Sequence, residues 1–81
     1  DDADALRRWV ATMTREFEAL RGAAARGRAT VLDTYGATNP AEFFAVATEC
    51  FFEKGRALSR RHPALYRLLQ DYYQQDPAAR Q

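Results

Sequence analysis

A segment near the middle of the chain constrains the fold more than any other. Asn39 suits a helix N-cap, Pro40 the first helical position and Glu42 the third. A helix is therefore expected to begin here and to continue to about Lys54, where Gly55 ends it. Most other residues of this helix are apolar, namely Phe43, Phe44, Ala45, Val46, Ala47, Cys50, Phe51 and Phe52. Because it is apolar on nearly all sides, we expect it to lie in the middle of a protein with several neighbours.

Three glutamates form the acidic side of this helix. Glu42, Glu49 and Glu53 fall within about 40° of each other at 100° per residue, so they face either water or a cavity that holds positive charge. Glu42 and Glu49 are about 10.5 Å apart along the axis, too far to bind one metal ion together. Glu42 also fits a capping box, in which its carboxylate would accept a hydrogen bond from the Asn39 N–H. By themselves, these residues predict a helical interaction module that cannot complete a metal site.

The first third of the chain reads as an amphipathic helix from Asp4 to about Ala25, ended near Gly27. Its apolar residues follow 3.6-residue spacing and predict one side of a core. They are Leu6, Trp9, Val10, Met13, Phe17 and Leu20.

The last third predicts a short helical turn within residues 56–61 and then a helix from Pro63 to about Gln75. His62 precedes this proline and is expected to cap that helix. The chain is therefore expected to be all-α, with three main helices and a short helical turn before the last, forming one segment over residues 1–81.

Composition narrows the class of protein. The chain has 81 residues, 12 Lys and Arg and 11 Asp and Glu, so its net charge of +1 leaves no electrostatic surface for nucleic acid. No run approaches the roughly 20 apolar residues of a membrane span. The single cysteine, Cys50, excludes an internal disulfide and suits a reducing compartment. The only methionine is Met13, inside a predicted helix, which favours either a processed start or excision from a longer protein.

Tyr35 lies seven residues before Glu42, and the Asn39-Pro40 helix start and an aromatic-rich helix follow it. The stretches "DTYGATNPAEFFAVATECFFEKG" and "HPALYRLLQDYYQQDP" resemble the C-terminal part of the Mlc titration factor A (MtfA) family, bacterial zinc-dependent peptidases of the gluzincin type. The resemblance covers nearly all of the chain from Asp33 onward and, less sharply, the first helix.

This resemblance implies the C-terminal portion of a zincin-like catalytic domain and a set of site residues. In the family, two histidines of an HExxH helix and a later glutamate hold zinc, and the HExxH glutamate is the general base. The resemblance makes Glu42 the third zinc ligand and Tyr35 the residue that stabilises the charged intermediate. The resemblance also implies that Glu49 accepts a hydrogen bond from one of the ligand histidines and so orients it. Because this chain has no HExxH, it is expected to bind no zinc and to be inactive by itself.

The resemblance also implies a cytoplasmic aminopeptidase with peptide substrates, the Mlc transcriptional repressor as a partner, and neither nucleic acid nor membrane. The upstream part of the same catalytic domain would complete the site. Without it, the faces around Phe43, Phe44, Phe51 and Phe52 would be exposed, so the chain alone is expected to self-associate.

Two alternatives remain open at this point. One is a non-enzymatic helical protein-interaction module that meets an acidic partner through its basic cluster. That cluster comprises Lys54, Arg56, Arg60, Arg61 and Arg67. The other is a degenerate paralogue of the peptidases that keeps Glu42 only as a helix cap.

Overall fold

The computed structural model describes residues 1–80, and this part of the chain is helical with no strand. Its α-helices are α1 (Asp2–Ala25), α2 (Pro40–Glu53), α3 (Gly55–Arg61) and α4 (Pro63–Tyr73). Two short 3-10 helices accompany them: the Tyr35 turn (Thr34–Ala37) and the C-terminal turn (Pro77–Arg80). The predicted all-α fold is confirmed. Over the same residues, no helix combines the length and apolar character needed to cross a membrane.

Helix α1 starts two residues earlier than predicted because Asp1 caps it. The Asp1 carboxylate accepts a hydrogen bond of 2.9 Å from the Asp4 N–H, which satisfies a donor of the first turn. At the other end Gly27 has a φ of 66°, the left-handed conformation that favours glycine. Its N–H and that of Arg28 bond the carbonyls of Ala24 and Ala23, a Schellman motif that ends the helix as predicted.

Gly55 begins α3 rather than lying in a coil after α2. Helix α2 ends at Glu53 with Lys54 as its C-cap, and α3 then has seven residues where a single turn was predicted. Gly55 is buried, and a Cβ there would lie 3.0 Å from the Ala78 backbone nitrogen. The C-terminal turn therefore packs directly on the start of α3, a contact between residues far apart in sequence.

Helix α2 lies in the middle of the fold, as its composition predicted. Phe43, Ala47 and Phe51 are each at most 1% exposed. The Phe51 ring lies 5.0 Å from that of Tyr66 and 5.8 Å from that of Tyr73, both on α4. The rest of the core comes from every part of the chain: Leu20, Leu32, Val46, Cys50, Leu58, Leu65, Tyr66 and Leu69.

The prediction that the α2 phenylalanines would be exposed was wrong for Phe43 and Phe51, since α1 and α4 cover them. Exposed apolar side chains lie elsewhere. On α1, Leu20 is buried, whereas Leu6 is 63% and Val10 is 53% exposed. Trp9, the residue before Val10, packs against the rings of Phe44 and Tyr72, so the exposure of Val10 reflects the side of α1 on which it lies.

Candidate metal-ligand and catalytic residues

Glu42 is held firmly by its backbone. Asn39 is in extended conformation, and its Oδ1 accepts a hydrogen bond of 2.9 Å from the Glu42 N–H. The next residue, Phe43, donates its N–H to the Asn39 carbonyl and is 1% exposed. The first turn of α2 is thus fixed both by its cap and by the core beneath it.

The Glu42 carboxylate does not complete the predicted capping box. Asn39 caps the helix, but within residues 1–80 no hydrogen bond or ion pair involves the Glu42 carboxylate. The side chain is half-buried. A capping role therefore does not account for a glutamate at this position, and its oxygens are free to bind a group that the described residues do not supply.

Tyr35 lies on a tightly bonded turn. The Asp33 carboxylate accepts a hydrogen bond of 2.9 Å from the Tyr35 N–H, and the Tyr35 carbonyl accepts bonds from the N–H and the hydroxyl of Thr38. The Tyr35 side chain is 59% exposed. The Tyr35 backbone is thus held in place, while the phenol points away from the core. The phenol can therefore reorient only by rotation of the side chain.

The Tyr35 turn packs on the acidic side of α2. A Cβ on the buried Gly36 would lie 3.1 Å from Val46 Cβ and 3.2 Å from Leu20 Cδ2, so the turn approaches α2 and α1 closely. Val46 follows Glu42 by four residues and lies on the same side of α2. The Tyr35 turn therefore packs on the side of α2 that carries Glu42.

Asp33 and Glu49 meet in a small cleft of about 110 Å³ on this side, together with Glu53 and Lys54. Sequence reasoning overlooked Asp33. Asp33 lies two residues before Tyr35 and accepts a hydrogen bond from its N–H, and this spacing is typical of an Asx turn. The Asx-turn pattern could have identified Asp33 from the sequence. The cleft is acidic overall, and Glu49 is exposed at its edge.

The described residues do not form a metal site by themselves, because residues 1–80 contain no group of three or more His, Cys, Asp or Glu side chains suited to hold an ion. A catalytic zinc needs three protein ligands and an open position. Glu42 has the chemistry of one such ligand, since its backbone is fixed and its carboxylate makes no hydrogen bond or ion pair within residues 1–80.

Cys50 is not a candidate ligand or nucleophile. Its side chain is 7% exposed, and its Sγ lies 4.0 Å from the Val31 carbonyl oxygen. Burial is the largest influence and raises the pKa of the thiol, Lys54 opposes the shift, and Glu49 and Glu53 add to it. The thiol is thus kept protonated, which makes it unreactive.

His62 does not cap α4 with its side chain, contrary to the prediction. It occupies the N-cap position, but its Nδ1 shares a hydrogen bond of 2.8 Å with the Glu16 carboxylate on α1. Glu16 is 46 residues away in sequence, so no local pattern indicated the pair. The bond ties α1 to the junction of α3 and α4.

Comparisons with known proteins agree with the resemblance. An uncharacterized protein of Synechocystis sp. is 47% identical over 70 residues, which is 86% of this chain and 26% of that protein. The Mlc titration factor A of Serratia proteamaculans is 47% identical over 49 residues, 60% of this chain and 19% of that protein. The Yersinia pestis (strain Pestoides F) protein of the same name is 49% identical over 49 residues, 60% of this chain and 18% of its own length.

The chain thus spans between 18% and 26% of the length of these curated relatives. No solved structure matches it. The sequence profile of the family described as glucose-regulated metallo-peptidase M90 matches residues 1–74, nearly the whole chain. The chain therefore belongs to the glucose-regulated metallo-peptidase M90 family.

Proposed function

We propose that this chain supplies one metal ligand and one catalytic side chain to a zinc-dependent peptidase whose HExxH helix lies outside residues 1–81. Glu42 is the zinc ligand, and Tyr35 acts on the substrate. The observation that carries the proposal is Glu42, whose backbone is fixed in the first turn of a buried helix and whose carboxylate makes no bond to the described residues.

The local structure suits Glu42 to this role. A ligand that must hold a metal at a fixed distance needs a backbone that does not move when the metal binds. Asn39 and Pro40 fix the start of α2, and Phe43 and Val46 anchor the same turns in the core. When bound, zinc would supply Lewis-acid polarisation of the scissile carbonyl and activation of water.

Tyr35 would donate its phenolic hydrogen bond to the oxygen that gains charge as the peptide bond is attacked. Such donors are worth about 10²–10³ in kcat when they are preorganised. The Asp33 and Thr38 hydrogen bonds fix the backbone that carries the phenol. Because the ring is 59% exposed, the hydroxyl is accessible to a bound peptide.

Glu49 is proposed as an outer partner for one of the zinc-binding histidines. It is exposed on the same side of α2 as Glu42, two turns further along the helix. A carboxylate at this distance would accept the second ring N–H of a histidine and so orient it.

The proposal is tested in the complete natural protein that contains this chain. We expect Glu42→Gln to lose most of its bound zinc, measured by elemental analysis after dialysis, because a neutral amide is a poor zinc ligand. Glu53→Gln is the matched control, since Glu53 is exposed on the same side of α2, and it should keep its zinc. Equal zinc content in the two variants would refute the ligand role and favour a non-enzymatic interaction module.

Tyr35→Phe tests the second role. We expect zinc content to stay at the wild-type level while kcat for an aminoacyl-anilide substrate falls about 10²–10³-fold, because one donor to the developing oxyanion is lost. Unchanged kcat would remove Tyr35 from the catalytic residues without affecting the assignment of Glu42.

The proposal also covers the kind of peptidase, its location in the cell and its protein partner. We infer an aminopeptidase that works in the cytoplasm and needs the rest of its domain for activity. The name of several relatives, Mlc titration factor A, supports the Mlc transcriptional repressor as a partner. Retention of purified Mlc on the immobilised complete protein, compared with a blank resin, would test this partner.

A further inference from the structure

An apolar groove of about 570 Å³ lies between α1 and the start of α2. Its apolar lining comes from both helices: Trp9, Met13, Phe17, Pro40, Phe43 and Phe44. Glu18 lies at its rim. The groove is therefore a concave apolar surface, and no described residue fills it.

The groove continues along α1 as an exposed stripe. Leu6 and Val10 are 63% and 53% exposed, and together with Met13 and Phe17 they repeat at three- and four-residue intervals. This spacing is that of a helix seam that packs against another helix. From Leu6 to Phe17 the stripe is about 16.5 Å long, which matches roughly three turns of a partner helix.

Aromatic rings border the stripe. The Trp9 ring lies 5.2 Å from the Tyr72 ring and 6.0 Å from the Phe44 ring. The Tyr72 and Phe44 rings are 5.9 Å apart. Tyr72 is 59% exposed. Trp9 and Phe44 are partly buried, and Trp and Tyr are enriched at the centres of protein interfaces.

The groove and the proposed metal side of α2 face in different directions. Pro40 and Phe44 are each two residues from Glu42, which places them roughly 160° away around the helix. The groove is therefore separate from the site that Glu42 and Tyr35 serve, and what occupies it does not depend on the proposed function.

We propose that an amphipathic helix of the same polypeptide, from outside residues 1–81, packs into this groove and along the α1 stripe. The chain matches only 18% to 26% of the length of relatives that are 47–49% identical to it, so those relatives have ample further length to supply such a helix. A tethered segment is present at millimolar effective concentration, which favours it over a second copy. Glu18 has no ion pair within residues 1–80, so a Lys or Arg at the edge of the helix would complement it.

Hydroxyl-radical footprinting of the complete natural protein tests the proposal without any mutation. We expect Leu6, Trp9 and Met13 to be oxidised as slowly, relative to the urea-unfolded protein, as the buried Leu58 and Leu69. This protection should be independent of protein concentration. The proposal is overturned if Leu6 reacts as an exposed residue or if protection appears only at high concentration.

A pair of variants gives an independent measurement. Val10→Asp would place an unpaired carboxylate in the interface, and we expect it to lower the Tm of the complete protein by about 4–8 °C. Ala11→Asp is the matched control on the solvent side of α1 and should change the Tm far less. Equal losses in the two variants would contradict the proposal. Neither result depends on zinc, so this inference and the proposed function can fail separately.

Discussion

At the scale of single residues, Tyr66 shows how one polar group can join distant segments inside the core. It is 6% exposed, and its hydroxyl donates to the Asp76 carboxylate and accepts a hydrogen bond of 3.0 Å from the Ala78 N–H. It therefore holds the C-terminal turn onto α4. Burial is the main cause that raises the pKa of Tyr66, and the hydrogen bond to Asp76 adds to it.

This shift predicts a pH dependence of stability. Because the pKa of Tyr66 is higher in the folded state than the value of about 10 in the unfolded chain, its contribution is complete below pH 10. The contribution is then lost as the pH rises through the folded-state value. We expect Tyr66→Phe to cost about 1–3 kcal/mol of the free energy of unfolding at pH 7, because Asp76 and Ala78 lose their buried partner.

Urea unfolding of the chain between pH 7 and pH 11 would measure both effects. The difference between wild type and Tyr66→Phe should be constant up to about pH 9.5 and shrink above it. Tyr72→Phe, at an exposed position, should follow the wild-type profile. A difference that stays constant to pH 11 would contradict this explanation.

At the scale of elements, two residues at the start of α2 have different roles, one in stabilising the helix and one in the proposed function. Asn39 performs the capping, whereas the adjacent Glu42 contributes its N–H but not its carboxylate. A degenerate paralogue that kept Glu42 only as a cap would show the carboxylate bonded to the helix end. The described structure has no such bond, so the two residues should respond differently to substitution.

We therefore predict that Asn39→Ala lowers the free energy of unfolding of the chain by about 1 kcal/mol, because the Glu42 N–H loses its acceptor. Asn39→Asp should retain most of the stability. Glu42→Gln should cost less than Asn39→Ala, since only its interaction with the helix dipole, about 0.3–1 kcal/mol, is affected. Chemical denaturation of the three variants would decide, and a loss in Glu42→Gln larger than that in Asn39→Ala would restore the capping interpretation.

At the scale of the whole molecule, the fold is a slab of 37 × 32 × 18 Å. Within this slab, α2 contacts the Tyr35 turn, α3, α4 and the C-terminal turn, while α4 contacts α1, α2 and α3. A thin slab leaves the outer side of α1 without a covering layer. The exposed Leu6, Val10 and Tyr72 follow from this shape.

We still expect the 81-residue chain by itself to self-associate. Given this shape, we expect the contact surface to be the exposed side of α1 and not the α2 phenylalanines. We expect sedimentation velocity to show a concentration-dependent increase in mass for the chain, and Val10→Asp to reduce it because a charge opposes burial of the stripe. Ala11→Asp serves as the control. A compact monomer at all concentrations would contradict the prediction.

Local sequence patterns predicted where most helices begin and end, and they indicated the family to which the chain belongs. Helix α2 begins at Pro40 as predicted, and Gly27 ends α1, because caps, prolines and left-handed glycines act through hydrogen bonds within a few residues. The order of Tyr35 and Glu42 around the Asn39-Pro40 start carried the resemblance, which the match to residues 1–74 confirms at the level of the family.

Which side chains are covered and which groups meet depends on the tertiary packing. Periodicity placed Leu6 and Leu20 on one stripe, but Leu20 packs beside Gly36 of the Tyr35 turn, whereas Leu6 is 63% exposed. The His62–Glu16 hydrogen bond and the contact of Gly55 with Ala78 join residues far apart in the chain. Such contacts depend on how helices pack in space, and local hydrogen-bonding patterns carry no information about that packing.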